Sequence, residues 1–219
     1  LLGHWLADNV APLIEHAAHR LREAGIDATV ERDPAGRSDV FFGCGLLTRT
    51  LAAAGADLEI VAAPVFPGEA DPVYRTVFIS RQGDPLDLLS ATKERSMAVN
   101  EESSWSGWNA YLAELEHLGV DAPPSARRHT TGSHLASIRS VRSGGSDFAA
   151  IDSSVWEHHR EEHDGLTVFA TGRDWPAPPI SVASTVDAET RELLRTLPGT
   201  RPTTTDAYDE MYATALRLS

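Results

Sequence analysis

The chain has 219 residues, 42% of them hydrophobic, which is ordinary for a soluble globular protein and enough for one large domain or two small lobes. Its formal charge is −13, from 19 Lys and Arg against 32 Asp and Glu, which argues against nucleic acid or an anionic membrane as partner; any anion it binds has to be held by local geometry. A single cysteine, Cys44, excludes an internal disulfide and a structural cysteine zinc site, and no run approaches the roughly 18 apolar residues of a membrane span.

The opening LLGHWLADN has neither a basic segment nor a long apolar core, so no signal peptide is read in it. The location expected is periplasmic or extracytoplasmic if a signal peptide has been removed, and cytoplasmic otherwise. From Asn9 to Gly25, Val10, Leu13, Ile14, Ala17 and Leu21 recur at helical spacing, and Gly25 closes the helix. DATVE and DVFFG then read as strands, GLLTRTLAAAG as a helix and LEIVAAPVF as a strand, an alternation that favours a parallel sheet flanked by helices. PVFPGEADP is loop and YRTVFISR a further strand. After QGDPLD the alternation restarts with SMAVN, a helix from Ser106 to about Gly119, the loop DAPPS, a helix from about His134 to Val141, and the strand FAAID. LTVFAT is a strand, the proline-rich GRDWPAPPISVAS suits a return crossing, and DAETRELLRTL and TDAYDEMYATALRL read as surface helices. The order predicts two α/β lobes, the second inserted into the first: residues 1–83 with 179–219 as lobe I and residues 84–178 as lobe II.

The stretch NEESSWSGWNA sets small donors where a helix opens. Free amides at a helix start carry partial positive charge, so Ser104 and Ser106, with Gly107 allowing close backbone approach, can cradle an anion without Lys or Arg. The alternative is that one of these serines is only an N-cap. TTGSHLASIRSV repeats the form, with Ser133 and His134 at the mouth of a second helix. Asp152 follows an apolar strand and falls at its carboxyl end, where ligands bind in open α/β sheets; it reads equally as a ligand contact or as the N-cap of SSVWEHH.

AVNEESSWSGWNAYL, TGSHLASIRSVRSGGSDFAAIDSSVW and LTVFATGRDWPAPPISVAS resemble the phosphate, phosphite and phosphonate solute-binding proteins of ABC transporters. FFGCGLLTRTL and VFPGEADPVYRTVFISR fit the first lobe of the same family. The resemblance implies a two-lobed type II periplasmic-binding-protein fold of the α/β class, with a small anionic ligand in the cleft between the lobes and the membrane subunits of a transporter as partner. Carried over by motif, the oxyanion loop falls on Ser104, Trp105, Ser106 and Gly107, the second-lobe histidine on His134, and the first-lobe aromatics on Tyr74 and Trp5. Asp152 takes the place of a polar residue at the ligand's far end. The chain departs from the pattern at Trp105, where phosphonate binders usually have a small hydroxyl residue, and it is shorter than typical members.

The function expected is therefore non-catalytic capture of a small oxyanion, without cofactor or metal. One rival is an enzyme of this fold, a decarboxylase or dehydratase of small carboxylated substrates with His134 and Asp152 as acid and base. Another is a stand-alone cytoplasmic sensor. His159 and His163 have helical spacing and could ligate a metal, but a solvated helix face is the expectation. Cys44 is expected to be a small residue in a tight loop.

Overall fold

The structure, a computed structural model, describes residues 1–5, 8–33, 35–84, 86–88, 95–121 and 127–218. Apart from Asp121, the expected loop DAPPS lies outside the described residues. The chain forms two compact units, Leu1–Tyr74 with Trp175–Ala213, and Arg75–Asp174 with Thr214–Ser219.

The first segment carries β1 (Leu2–Trp5), α1 (Ala11–Glu23), β2 (Val30–Arg32), β3 (Val40–Gly43), α2 (Gly45–Ala53), β4 (Glu59–Pro64) and β5 (Val73–Tyr74). Next come β6 (Thr76–Arg81), β7 (Met97–Val99), α3 (Ala110–His117), β8 (Arg128–Thr130), α4 (His134–Ser143), β9 (Phe148–Asp152), α5 (Ser153–His158) and β10 (Leu166–Thr171). The chain returns through β11 (Trp175–Pro176), β12 (Ile180–Val182), α6 (Ala188–Arg195), β13 (Thr200–Pro202) and α7 (Asp209–Leu218).

In the first unit the sheet order is β13-β4-β12-β3-β1-β2, with β1 parallel to β2 and β3, and β12 antiparallel to β3 and β4. Strand β3 is buried along its whole length and β4 is buried after Glu59, as expected of strands covered on both faces. Helix α1 buries Ile14, Ala17, Ala18 and Leu21 against this sheet, and the chain turns away at Gly25, whose φ of 80° suits glycine. Strands β5 and β11 pair separately.

In the second unit the order is β10-β6-β9-β7-β8, with β7 parallel to β8 and β9, and β6 antiparallel to β9 and β10. Strand β6 precedes the expected boundary at Gly83, yet it lies inside this second sheet. Side chains alternate across the sheet at the period of two that a strand imposes. Val77, Ile79, Ala98, Ala149 and Ile151 pack with Ile138 and Val141 of α4 and Val155 of α5. Phe78, Met97, Val99, Phe148 and Ala150 pack on the other face with Tyr111 and Leu115 of α3. Helices therefore cover both faces. The carboxyl ends of β7, β8 and β9 share one edge, and the antiparallel register sets Thr76 of β6 beside Asp152.

The α3 face is tied together by aromatic rings: Phe148, 1% exposed, meets Tyr111 edge-on at 5.4 Å and Phe169 at 6.2 Å between centroids. Replacing Phe148 by Ala empties the centre of this cluster and is expected to cost about 3–5 kcal/mol of stability, read as a lowered midpoint in urea denaturation.

Candidate functional site

The edge formed by β7, β8 and β9 carries most of the candidate residues. After β7 ends at Val99, the chain runs through Asn100 to a wide turn at Trp105–Asn109, and α3 begins only at Ala110. The helix expected from Ser106 thus opens on a π-type turn with a break at Gly107, whose φ and ψ are −95° and −113°. Trp108, Tyr111, Leu112 and Leu115 fit either kind of turn, so periodicity does not reveal the break. A side chain at Gly107 is impossible without rearrangement, since its Cβ would lie 2.2 Å from Asn100 Oδ1.

The serines of this turn do not cap a helix. Ser104 stands at the cap position but its side chain makes no cap bond. Asn109 Nδ2 instead donates to the carbonyls of Ser104, at 2.9 Å, and Glu102, at 3.0 Å. Ser106 Oγ lies 2.8 Å from His134 Nε2, and Ser104 Oγ lies 3.4 Å from Ser106 Oγ. The two hydroxyls therefore share one side of the turn, while Trp105 between them is wholly buried. Thr76 Oγ1 donates to the Ser106 carbonyl at 3.4 Å, which fastens the turn to the start of β6.

His134 is the first residue of α4, and Ser133 caps that helix by accepting from the Ala136 amide at 3.1 Å. The imidazole is buried, and burial pushes its pKa down to about 4 against a weaker upward pull from the Ala150 backbone. It is neutral at ordinary pH. Asn100 Nδ2 approaches the same Nε2 at 3.3 Å. A serine hydroxyl beside an imidazole is also how a nucleophile is activated, but Nδ1 here meets no carboxylate, and a ring with a pKa near 4 is a poor proton acceptor.

Asp152 closes β9 and caps α5. Its Oδ1 accepts from the Ser154 amide at 2.8 Å, from the Ser154 hydroxyl at 2.5 Å and from the Val155 amide at 3.4 Å. All three bonds fall on one oxygen. Burial raises the carboxyl pKa to about 6, the Ser154 and Val155 donors opposing. The cationic side chains near this edge are engaged by carboxylates: Arg128 by Glu102 at 3.0 Å and Arg75 by Asp174 at 2.6 Å.

Of the remaining expected residues, Tyr74 is a buried residue of the first unit, in β5 opposite Trp175. Trp5 ends β1 opposite Gly43, and its side chain lies outside what is described. His159 and His163 do not share a helix, because α5 stops at His158; His163 stacks on Trp156 with centroids 3.5 Å apart. Cys44 precedes α2 in a partly buried position. Neither Asn100 nor Thr76 is among the binding residues expected from the sequence. Asn100 stood at the end of an apolar strand just before the serine run, the one signal that could have found it.

Asp152 and His134 bias stability in opposite directions. The raised Asp152 pKa makes the folded state bind more protons between about 4 and 6, so this group's contribution falls as pH rises through that window. The lowered His134 pKa makes the unfolded state bind more protons between about 4 and 6.5, so its contribution rises there. In the native chain the two nearly cancel. Asp152→Asn keeps a capping side chain but removes the first effect, so its stability should climb by up to about 3 kcal/mol from pH 4 to 6.5 relative to that of the native chain, measured by urea denaturation across pH.

Among known proteins, one family model matches the chain, and solved structures share its fold. The family model "ABC transporter, phosphonate, periplasmic substrate-binding protein" matches residues 22–201. PhnD1 from Prochlorococcus marinus, solved in complex with methylphosphonate, superposes with a TM-score of 0.83 at 15% identity, over 99% of this chain and 97% of that one. A binding protein component of an ABC phosphonate transporter from Pseudomonas aeruginosa gives 0.78 at 16% identity, over 99% and 85%. A Xanthomonas citri protein solved bound to chloride gives 0.73 at 20% identity, over 99% and 97%. No curated protein matches in sequence. At these identities the superpositions establish the fold, a two-lobed α/β periplasmic-binding-protein fold. No helix among the described residues is long and apolar enough to cross a membrane. The family match, covering most of the chain, shows what it is: a member of the periplasmic substrate-binding proteins of phosphonate ABC transporters, a binding rather than an enzymatic family, whose membership implies an extracytoplasmic location.

Proposed function

We propose that the chain captures a small oxyanion of the phosphonate, phosphite or phosphate class and delivers it to the membrane subunits of an ABC transporter. Ser104, Ser106 and the amides around Gly107 hold the anionic head, His134 orients the Ser106 hydroxyl through Nε2, and Asp152 meets the far end of the ligand. The observation that carries this reading is the 2.8 Å contact between Ser106 Oγ and His134 Nε2. It joins the wide turn to the start of α4, so two donor-bearing segments converge on one point, and neither serine of the turn is committed to capping. The family match adds the ligand class.

The chemistry suits a weakly charged cradle. Hydroxyls and backbone amides aimed at an oxyanion need no cation, and hydrogen bonds to a charged group are stronger than those between neutral partners. Asp152 selects differently. One of its oxygens is held by three donors, and a cationic or hydroxyl substituent would be favoured at the other.

Ser106→Ala should weaken methylphosphonate binding by about 1.5–3 kcal/mol, tenfold or more, while stability falls by about 1 kcal/mol at most. Calorimetric titration and urea denaturation on the same variant read the two quantities. Unchanged affinity would remove Ser106 from the site. Asp152→Asn should leave methylphosphonate affinity near its native value but reduce the advantage of an aminoalkylphosphonate over methylphosphonate at pH 7.5, above the native carboxyl's raised pKa. Equal losses for both ligands would place Asp152 elsewhere than at the substituent.

A further inference from the structure

We infer that Asn100 is a positioning residue of the anion site: its side-chain amide supplies His134 Nε2 with a second donor, which releases the Ser106 hydroxyl to the ligand. The inference rests on the oxyanion capture proposed above and adds a residue to it.

Two groups converge on His134 Nε2, Ser106 Oγ at 2.8 Å and Asn100 Nδ2 at 3.3 Å. An amide nitrogen can only donate. In the neutral ring Nε2 is therefore the acceptor and the proton sits on Nδ1. Ser106 has a single hydroxyl proton. Without ligand, the shorter contact directs that proton to Nε2. An oxyanion offers only acceptors, so Ser106 can bind it by turning the proton away from the ring. That turn would strand a buried lone pair, at the cost of an unsatisfied acceptor, unless another donor remains. Asn100 remains. The same amide opposes the alternative tautomer, because an Nε2–H would face the Asn100 N–H donor to donor.

Asn100 is fixed where this requires it. The residue is buried, its carbonyl accepts from the Gly132 amide at 2.9 Å in the loop that leads to α4, and its Oδ1 rests against Gly107. It is thus wedged between the turn that bears Ser104 and Ser106 and the helix that bears His134. The absence of a side chain at Gly107 leaves the space it occupies.

The test combines nitrogen-15 NMR of the His134 ring with titration by methylphosphonate. In the unliganded native protein the ring should carry its proton on Nδ1, a readout that needs no variant. Asn100→Leu removes the donor without adding charge, and Asn100→Asp keeps the shape while replacing the donor by an acceptor. Asn100→Asp should move the proton toward Nε2, whereas Asn100→Leu should leave it on Nδ1 with the Ser106 hydroxyl donating to Nε2, and both should weaken methylphosphonate binding at least tenfold. Ser106→Ala should then cost much less in the Asn100→Leu background than in the native chain, since the hydroxyl is already tied to the ring. A native ring protonated on Nε2 overturns the inference, as does native affinity in both Asn100 variants, or an equal cost of Ser106→Ala in both backgrounds. A purely structural role would lower stability without moving the ring proton. If the native protein binds none of methylphosphonate, phosphite and phosphate, the capture reading itself falls, and the ring tautomer still decides the place of Asn100.

Discussion

A neutral imidazole, buried at the first residue of α4, is the point at which the wide turn and α4 of the second unit are joined. His134 has no carboxylate partner among the described residues, and burial holds it uncharged. A charged ring there would need a counterion, and no described carboxylate acts on it: its pKa is set by burial and by the Ala150 backbone. Neutrality leaves a single accepting nitrogen, and that nitrogen fixes where Ser106 must be. Ser106 in turn places the wide turn, which Thr76 secures from β6. The strands provide the common edge, and the hydrogen bonds around one ring nitrogen decide how the loops above it are arranged.

The fold was largely readable because its signals are local. The helical spacing from Val10 to Leu21 became α1, and the strands DVFFG, LEIVAAPVF, YRTVFISR, FAAID and LTVFAT correspond to β3, β4, β6, β9 and β10. Apolar period and glycine stops act over a few residues, and a sequence displays them directly. The helix start at Ser106 was misplaced for the same reason: one wide turn shifts the backbone phase but leaves Trp108 and Tyr111 facing inward, so the pattern continues unbroken. The His159 and His163 spacing misled in the opposite way, since α5 ends after six residues and the spacing no longer describes one helix face.

The sequence displays the types of the candidate residues but not their contacts. Ser106 and His134 stand at the mouths of two separate segments, and nothing in either segment reports that they touch. Asn100 acts through a residue 34 positions away, a contact set by the parallel pairing of β7 with β8 and β9. Asp152 reads in the sequence as a cap or a ligand contact, and its geometry makes the two roles compatible: the cap needs one oxygen, and a carboxylate has two.

Trp105 departs from the family pattern and still leaves the Ser104 and Ser106 hydroxyls side by side. The hydroxyls of Ser104 and Ser106 lie 3.4 Å apart, and the indole between them in sequence is fully buried. A small hydroxyl residue at this position could offer a ligand a third donor; with a buried indole there, the proposed cradle has fewer, neutral donors. Those donors must act at short range in a chain whose net charge is −13. Long-range repulsion of an anion is screened beyond about 8 Å at physiological ionic strength, whereas dipoles and hydrogen bonds act within contact distance. In the proposed capture, affinity is therefore decided inside that distance, by the hydrogen bonds that the cradle makes to the ligand head.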